Sequence, residues 1–119
     1  MISAIILAAG ESRRMGVKNK LLLPISGEVL ISNFVKSVCA SNVAEVVVVV
    51  GHEAEKIEEV LQGQPVRFVE NLRYMEGMTS SIQTGIQAAS AESEGLLICL
   101  ADQPFIETSD FNRLIHEFT

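Results

Sequence analysis

At 119 residues, with 48% hydrophobic and 20% charged side chains, the chain has the length of one domain and a composition that excludes a disordered polymer. Its net charge of −6 excludes a nonspecific nucleic-acid binder, whose phosphate-tracking surface needs a broad excess of Lys and Arg, so any polyanion must be met locally. The apolar opening lacks the basic region of a leader peptide, and Val46 to Val50 falls far short of the ~20 residues of a membrane span, so a cytoplasmic protein without a membrane partner is expected.

Ile2 to Ala8 is aliphatic without polar alternation, the pattern of a strand covered on both faces of a parallel sheet. From Val29, apolar residues at Leu30, Phe34, Val35, Val38 and Cys39 recur at helical spacing until Ser41 and Asn42 break it. Glu45 to Val50 reads as a second buried strand ended by Gly51, and Ala54 to Leu61 as a charged helix with Ile57, Val60 and Leu61 on one face. Val66 to Val69 is a third strand, Ser80 to Ala89 a helix with Ile82, Ile86 and Ala89 inward, Leu96 to Leu100 a fourth strand, and Ser109 to Phe118 a closing helix. Strand and helix alternating throughout predict βαβ units and a single α/β domain over residues 1–119. With the common strand order third-second-first-fourth, ligands bind beyond the carboxyl ends where the order reverses, between the first and fourth strands. The segments following Ala8 and Leu100 are therefore where chemistry is expected.

The first of these runs Leu7-Ala8-Ala9-Gly10-Glu11-Ser12-Arg13-Arg14-Met15-Gly16 and on to Lys20-Leu21-Leu22-Leu23-Pro24. Small residues at Ala8, Ala9 and Gly10 let backbone N–H groups approach an anion, Arg13 or Arg14 adds a forked donor, and Lys20 adds a point charge. The spacing is neither G-x-G-x-x-G nor a P-loop, which argues against a dehydrogenase domain; a solvated basic loop is the bland alternative. After the fourth strand comes Asp102-Gln103-Pro104. An acid there can hold Mg²⁺ against a triphosphate, or simply cap the following turn. Asn71 to Ser81 links the third strand to a helix, and Thr79, Ser80 and Ser81 can act as its N-cap or lend donors to a ligand. His52 reads as a loop histidine, His116 as a surface one, and Cys39 and Cys99 as buried thiols with no metal or disulfide spacing.

These blocks together resemble the MobA-like nucleotidyltransferases, and within them the molybdenum cofactor cytidylyltransferases. The similarity lies in Leu7-Ala8-Ala9-Gly10-x-Ser12-x-Arg14-Met15-Gly16 with Lys20 to Pro24, then Gly51-His52-Glu53-Ala54-Glu55, Asn71 to Ser81 around Glu76-Gly77-Met78, and Asp102-Gln103-Pro104, in order. Ala9 in place of a second glycine, and Gln103 between Asp and Pro, resemble the cytidylyl branch. The resemblance implies a Rossmann-like, three-layer α/β/α nucleotidyltransferase fold with a mostly parallel sheet, continuing past the last helix here into further strands. Either the sequence is a truncated product, or another chain or a second copy completes it, or it no longer catalyses. It further implies transfer of CMP from CTP to a molybdopterin-type acceptor, with guanylyl or sugar-phosphate transfer, or noncatalytic nucleotide binding, as alternatives. The implied catalytic groups are Arg14, Lys20, which adjoins the leucine run, and Asp102, which also ligates Mg²⁺. The implied nucleotide site comprises Leu7, Ala8, Ala9, Gly10, Glu11, Ser12, Arg13, Lys20, Asn71, Gly77, Ser80 and Ser81, with CTP or another NTP as partner.

Overall fold

The computed structural model describes residues 1–9, 24–25, 28–100 and 108–118. Its elements are β1 (Ile2–Ala8), β2 (Pro24–Ile25), β3 (Glu28–Val29), α1 (Leu30–Cys39), β4 (Glu45–Val50), α2 (Ala54–Val60), β5 (Arg67–Glu70), a 3₁₀ turn (Tyr74–Glu76), α3 (Met78–Ala88), β6 (Gly95–Leu100) and α4 (Thr108–Phe118). Four of the strands form one sheet in the order β5-β4-β1-β6, and every pairing is parallel. This is the third-second-first-fourth order expected from the sequence, with Leu7 of β1 in register with Val49 of β4 and Leu100 of β6. The two-residue strands β2 and β3 pair antiparallel outside this sheet and were not foreseen.

The unbroken aliphatic runs of β1 and β4 follow from burial on both faces, because successive side chains of a strand point to opposite sides. On one face Ala4, Ile6, Ala8, Val46, Val48 and Val50 pack with Leu30, Ile31, Phe34, Val35 and Val38 of α1, with Ile57 and Leu61, and with Phe111 of α4. Full burial of each such aliphatic side chain contributes about 1.5–3 kcal/mol, so this cluster is the main hydrophobic support of the fold. Helix α4 docks on α1 through Phe34 and Phe111, edge to face at a centroid distance of 5.9 Å, and through a 2.9 Å bond from the Thr108 hydroxyl to the Ser37 carbonyl.

The opposite face is covered by α3 over Ile5, Ala9 and Val49, which completes an α/β/α sandwich. Helix α3 comes close because Gly85 faces the sheet: a β-carbon there would lie 2.4 Å from Cγ2 of Ile5 and 3.1 Å from Cγ2 of Val49. The buried positions of α3 are Ser80, Ser81 and Gly85. This corrects the expectation that Ile86 points inward, since Ile86 is 48% exposed. It follows Gly85 by one residue, which is about 100° around the helix from the contact line. The remaining differences are at boundaries: α1 starts at Leu30 rather than Val29, α3 is Met78–Ala88 rather than Ser80 to Ala89, β5 is Arg67–Glu70 rather than Val66 to Val69, β6 starts at Gly95 rather than Leu96, α4 starts at Thr108 rather than Ser109, and Leu61 is the C-cap of α2 rather than its last residue.

Candidate functional site

In an open parallel sheet of this order, the carboxyl ends of the strands form the ligand-facing edge. Three of these ends are tied to one another by backbone contacts. The Ala9 carbonyl, just past β1, accepts a 2.9 Å bond from the His52 N–H, just past β4. The Val50 carbonyl, closing β4, accepts a 2.7 Å bond from the Asn71 N–H, just past β5. A β-carbon on Gly51 would meet Tyr74 Cβ at 2.8 Å and Ala9 Cβ at 3.0 Å, so the residue after β4 must be glycine for the three segments to meet. The Tyr74 ring also lies 6.0 Å from the His52 ring, tilted by 48°. Glu53 follows in the left-handed region at φ 54°, with its carboxylate 2.6 Å from Lys56 Nζ and 3.4 Å from His52 Nε2. A non-glycine residue held at positive φ is a backbone strain of order 1–3 kcal/mol, and such strain concentrates near functional edges.

The segment Asn71 to Ser81 is organised from within. The Asn71 side chain, 2% exposed, donates to the hydroxyls of Ser80 at 2.9 Å and Ser81 at 3.0 Å, and its Oδ1 accepts from the Arg73 N–H at 2.9 Å. The Ser80 hydroxyl in turn lies 2.9 Å from the Arg73 carbonyl and 2.8 Å from the Gly77 carbonyl, with its proton available to either. Both serines are buried. The N-cap expected among Thr79, Ser80 and Ser81 is therefore corrected: the cap is Gly77, at φ 105°, with no side-chain capping bond. The helix begins earlier because Gly77 can take that φ and release the chain directly into α3.

Of the residues singled out in the sequence, Leu7, Ala8, Ala9, Asn71, Gly77, Ser80 and Ser81 lie on or behind this edge. Gly10, Glu11, Ser12, Arg13, Arg14, Lys20 and Asp102 lie outside the described residues. Among the described residues, no three His, Cys, Asp or Glu side chains come together to hold a metal, and no helix is long and apolar enough to cross a membrane. Burial pushes the Cys99 thiol up to about 12 and raises the half-buried Cys39, so neither is a ready nucleophile. Sequence reasoning missed Tyr74 and the close approach at Gly51. A signal was present, since Gly51 follows an unbroken valine run, Val46 to Val50, and Tyr74 is the one tyrosine of the chain.

A family model described as a MobA-like NTP transferase domain matches residues 4–119. Nicotine blue oxidoreductase of Paenarthrobacter nicotinovorans is 32% identical over 114 residues, covering 96% of this chain and 55% of that protein. A nucleotidyl transferase from Methanothermobacter thermautotroptrophicus superposes with a TM-score of 0.85 at 34% identity, covering 98% of this chain and 57% of that one. A CMP:2-keto-3-deoxy-manno-octonic acid synthetase complexed with CTP shares the fold alone, with a TM-score of 0.79 at 22% identity over 98% of this chain and 46% of that one. The chain spans about half the length of these relatives. The sheet order, its helices and these likenesses define an α/β nucleotidyltransferase fold. Within that class, the chain belongs to the MobA-like NTP transferase domain family.

Proposed function

We propose that the chain is the nucleotide-binding part of a nucleotidyltransferase that moves CMP from CTP to a molybdopterin-type acceptor and releases pyrophosphate. The observation that carries this reading is the joining of the ends of β1, β4 and β5 through Ala9, His52 and Asn71 at the edge where the first cation-bearing loop begins. Leu7, Ala8 and Ala9 lead into the segment that begins at Gly10, where Gly10 and neighbouring N–H groups would cradle the triphosphate. Asp102 comes two residues after Leu100, which pairs with Leu7, so the acid follows the strand beside the one that feeds the loop. Its oxygen-only donor chemistry suits Mg²⁺, which when bound screens the phosphates. The support for CTP is the resemblance of Ala9 and Gln103 to the cytidylyl branch.

In the reaction, an oxygen of the acceptor's terminal phosphate forms a bond to the α-phosphorus of CTP. The bond from that phosphorus to the bridging oxygen breaks, and pyrophosphate leaves with the electron pair. The nucleophile is already anionic, so alignment and charge stabilisation matter more than a general base. Arg14 and Lys20 neutralise charge on the α-phosphate and leaving group, each worth about 3 kcal/mol by analogy with oxyanion-hole donors. Pyrophosphate release from CTP and GTP, with a molybdopterin-type acceptor, tests the reading. The parent is expected to prefer CTP, and Lys20→Ala to lose about 100-fold in turnover while its melting temperature holds. Equal turnover by Lys20→Ala sinks the assignment of Lys20, and a preference for GTP moves the donor to the guanylyl class.

A further inference from the structure

We propose that Asn71 is a positioning residue of the nucleotide site, acting through the Arg73 to Gly77 turn and Tyr74 on Ala9 without touching the nucleotide itself. The proposal rests on the reading of this edge as the nucleotide site. An asparagine amide has two N–H donors and one carbonyl acceptor. In Asn71 both donors are engaged by Ser80 and Ser81, the acceptor takes the Arg73 N–H, and the side chain is 2% exposed. The second lone pair of its Oδ1 is buried with the rest of the side chain and so is not open to a ligand. What it holds is the start of the turn: Arg73 is fixed at both of its backbone polar groups, the N–H by Asn71 and the carbonyl by Ser80 and by the Glu76 N–H. Tyr74 comes next in the chain and packs with Ile5, Ala9 and Val49, at the point where Gly51 leaves no room for a β-carbon. Ala9 is thereby steadied from two sides, by the His52 N–H on its carbonyl and by Tyr74 in the cluster at its side chain. Ala9 is the last described residue before the stretch of sequence that carries Arg13, Arg14 and Lys20.

The cluster is neutral throughout, and that suits its place. A carboxylate at position 71 could still accept from the same hydroxyls, but it would set a buried negative charge beside an anion site, where little water screens it. A neutral brace on Ala9 therefore adds no electrostatic repulsion at the proposed site.

The chain offers a specific probe, since it contains one tyrosine and no tryptophan, so emission excited at wavelengths that phenylalanine does not absorb reports Tyr74 alone. Three variants, Asn71→Ala, Asn71→Asp and Ser81→Ala, are compared with the parent by iodide quenching, amide hydrogen exchange and CTP titration. Asn71→Ala is expected to raise quenching of Tyr74 at least twofold, to lose about tenfold protection at Arg73, Glu76 and Gly77 with Val47 to Val50 unchanged, and to weaken CTP binding about tenfold. Asn71→Asp is expected to keep Tyr74 shielded yet weaken CTP binding more at low salt than at high. Ser81→Ala, which removes a single acceptor, covers the case in which Asn71→Ala fails to fold, and is expected to shift each readout in the same direction by a smaller factor. Unchanged quenching and affinity in Asn71→Ala, or protection lost evenly across β4 and the turn, overturns the proposal. A parent that binds no nucleotide overturns the reading of the site, while quenching and exchange still decide whether Asn71 orders the turn.

Discussion

Helix α3 is held to the sheet at both of its ends by side-chain clusters, and the two differ in chemistry. At its amino end, on the ligand-facing edge, the holder is the neutral group Asn71, Ser80 and Ser81. At its carboxyl end the holder is charged: Glu45 accepts from the Ser90 N–H and the Ser3 hydroxyl, both at 2.9 Å, and pairs with Arg67 at 3.1 Å, while Arg67 also donates to the Ala88 carbonyl. Between them, Gly85 sets the distance to Ile5. The opposite sheet face needs no such clasps, because α1, α2 and α4 bring large aliphatic and aromatic residues to it. A helix that contributes glycine and serine to its contact line gains little from apolar burial, so directional bonds must locate it. The charged clasp stands at the amino ends of the strands, and the neutral one stands at the carboxyl-end edge proposed to take an anion.

The largest effect is expected at the neutral end. Asn71→Ala removes an acceptor from the Arg73 N–H and two donors from the serines, and should lower the unfolding free energy by about 2–3 kcal/mol, read from the midpoint of urea denaturation. A loss below that of the charged end would reverse the ranking of the two clasps. At the middle, Gly85→Ala pushes a methyl against the fully buried Ile5, and a cost of about 1–3 kcal/mol is expected in the same titration. Paired substitution with Ile5→Leu, which has no Cγ2 branch at the point of the clash, should recover part of that cost.

The charged end should be weaker and sensitive to pH. The Ser90 N–H is the main cause that holds the Glu45 carboxyl below its ordinary value of 4.5; desolvation, next in size, opposes it, and the Ser3 hydroxyl and then Arg67 add smaller downward pulls. A depressed folded value means that this stabilisation is fully present above 4.5 and is lost as pH falls through the folded value. Thermal melts from pH 7 down to pH 3 should therefore show a steeper acid decline in the parent than in Glu45→Gln, which retains an acceptor but cannot titrate. Identical acid limbs would remove Glu45 from the account. The smallest effect belongs to Arg67→Gln. Its guanidinium side chain is 59% exposed, so the ion pair should contribute only a few tenths of a kcal/mol, about 0.2–1, and vanish in high salt.

Much of this was legible in the sequence, and for one reason. Where burial alone decides structure, as in Ile2 to Ala8 and Glu45 to Val50, the apolar run marks the strand to the residue. The alternation of strands and helices pointed to a parallel sheet; its order was only assumed to be the common one, and the sheet has that order. Helix α3 was harder, because its pattern of isoleucines pointed to Ile86 as core, while the actual contact line uses Ser81 and Gly85, whose value lies in their small size. The same limit hid the brace at Ala9: a glycine, a tyrosine and a carbonyl far apart in sequence meet through backbone contacts that composition does not encode. Asn71, Ser80 and Ser81 were legible as a polar cluster between strand and helix, but not as partners that satisfy one another.

The central claim is that the carboxyl ends of β1, β4 and β5 form a nucleotide site. Calorimetric titration of the folded chain with CTP and then GTP, each with and without Mg²⁺, tests it directly. Binding that requires Mg²⁺ and favours CTP is the predicted result; a chain that melts cooperatively yet takes up neither nucleotide would contradict it.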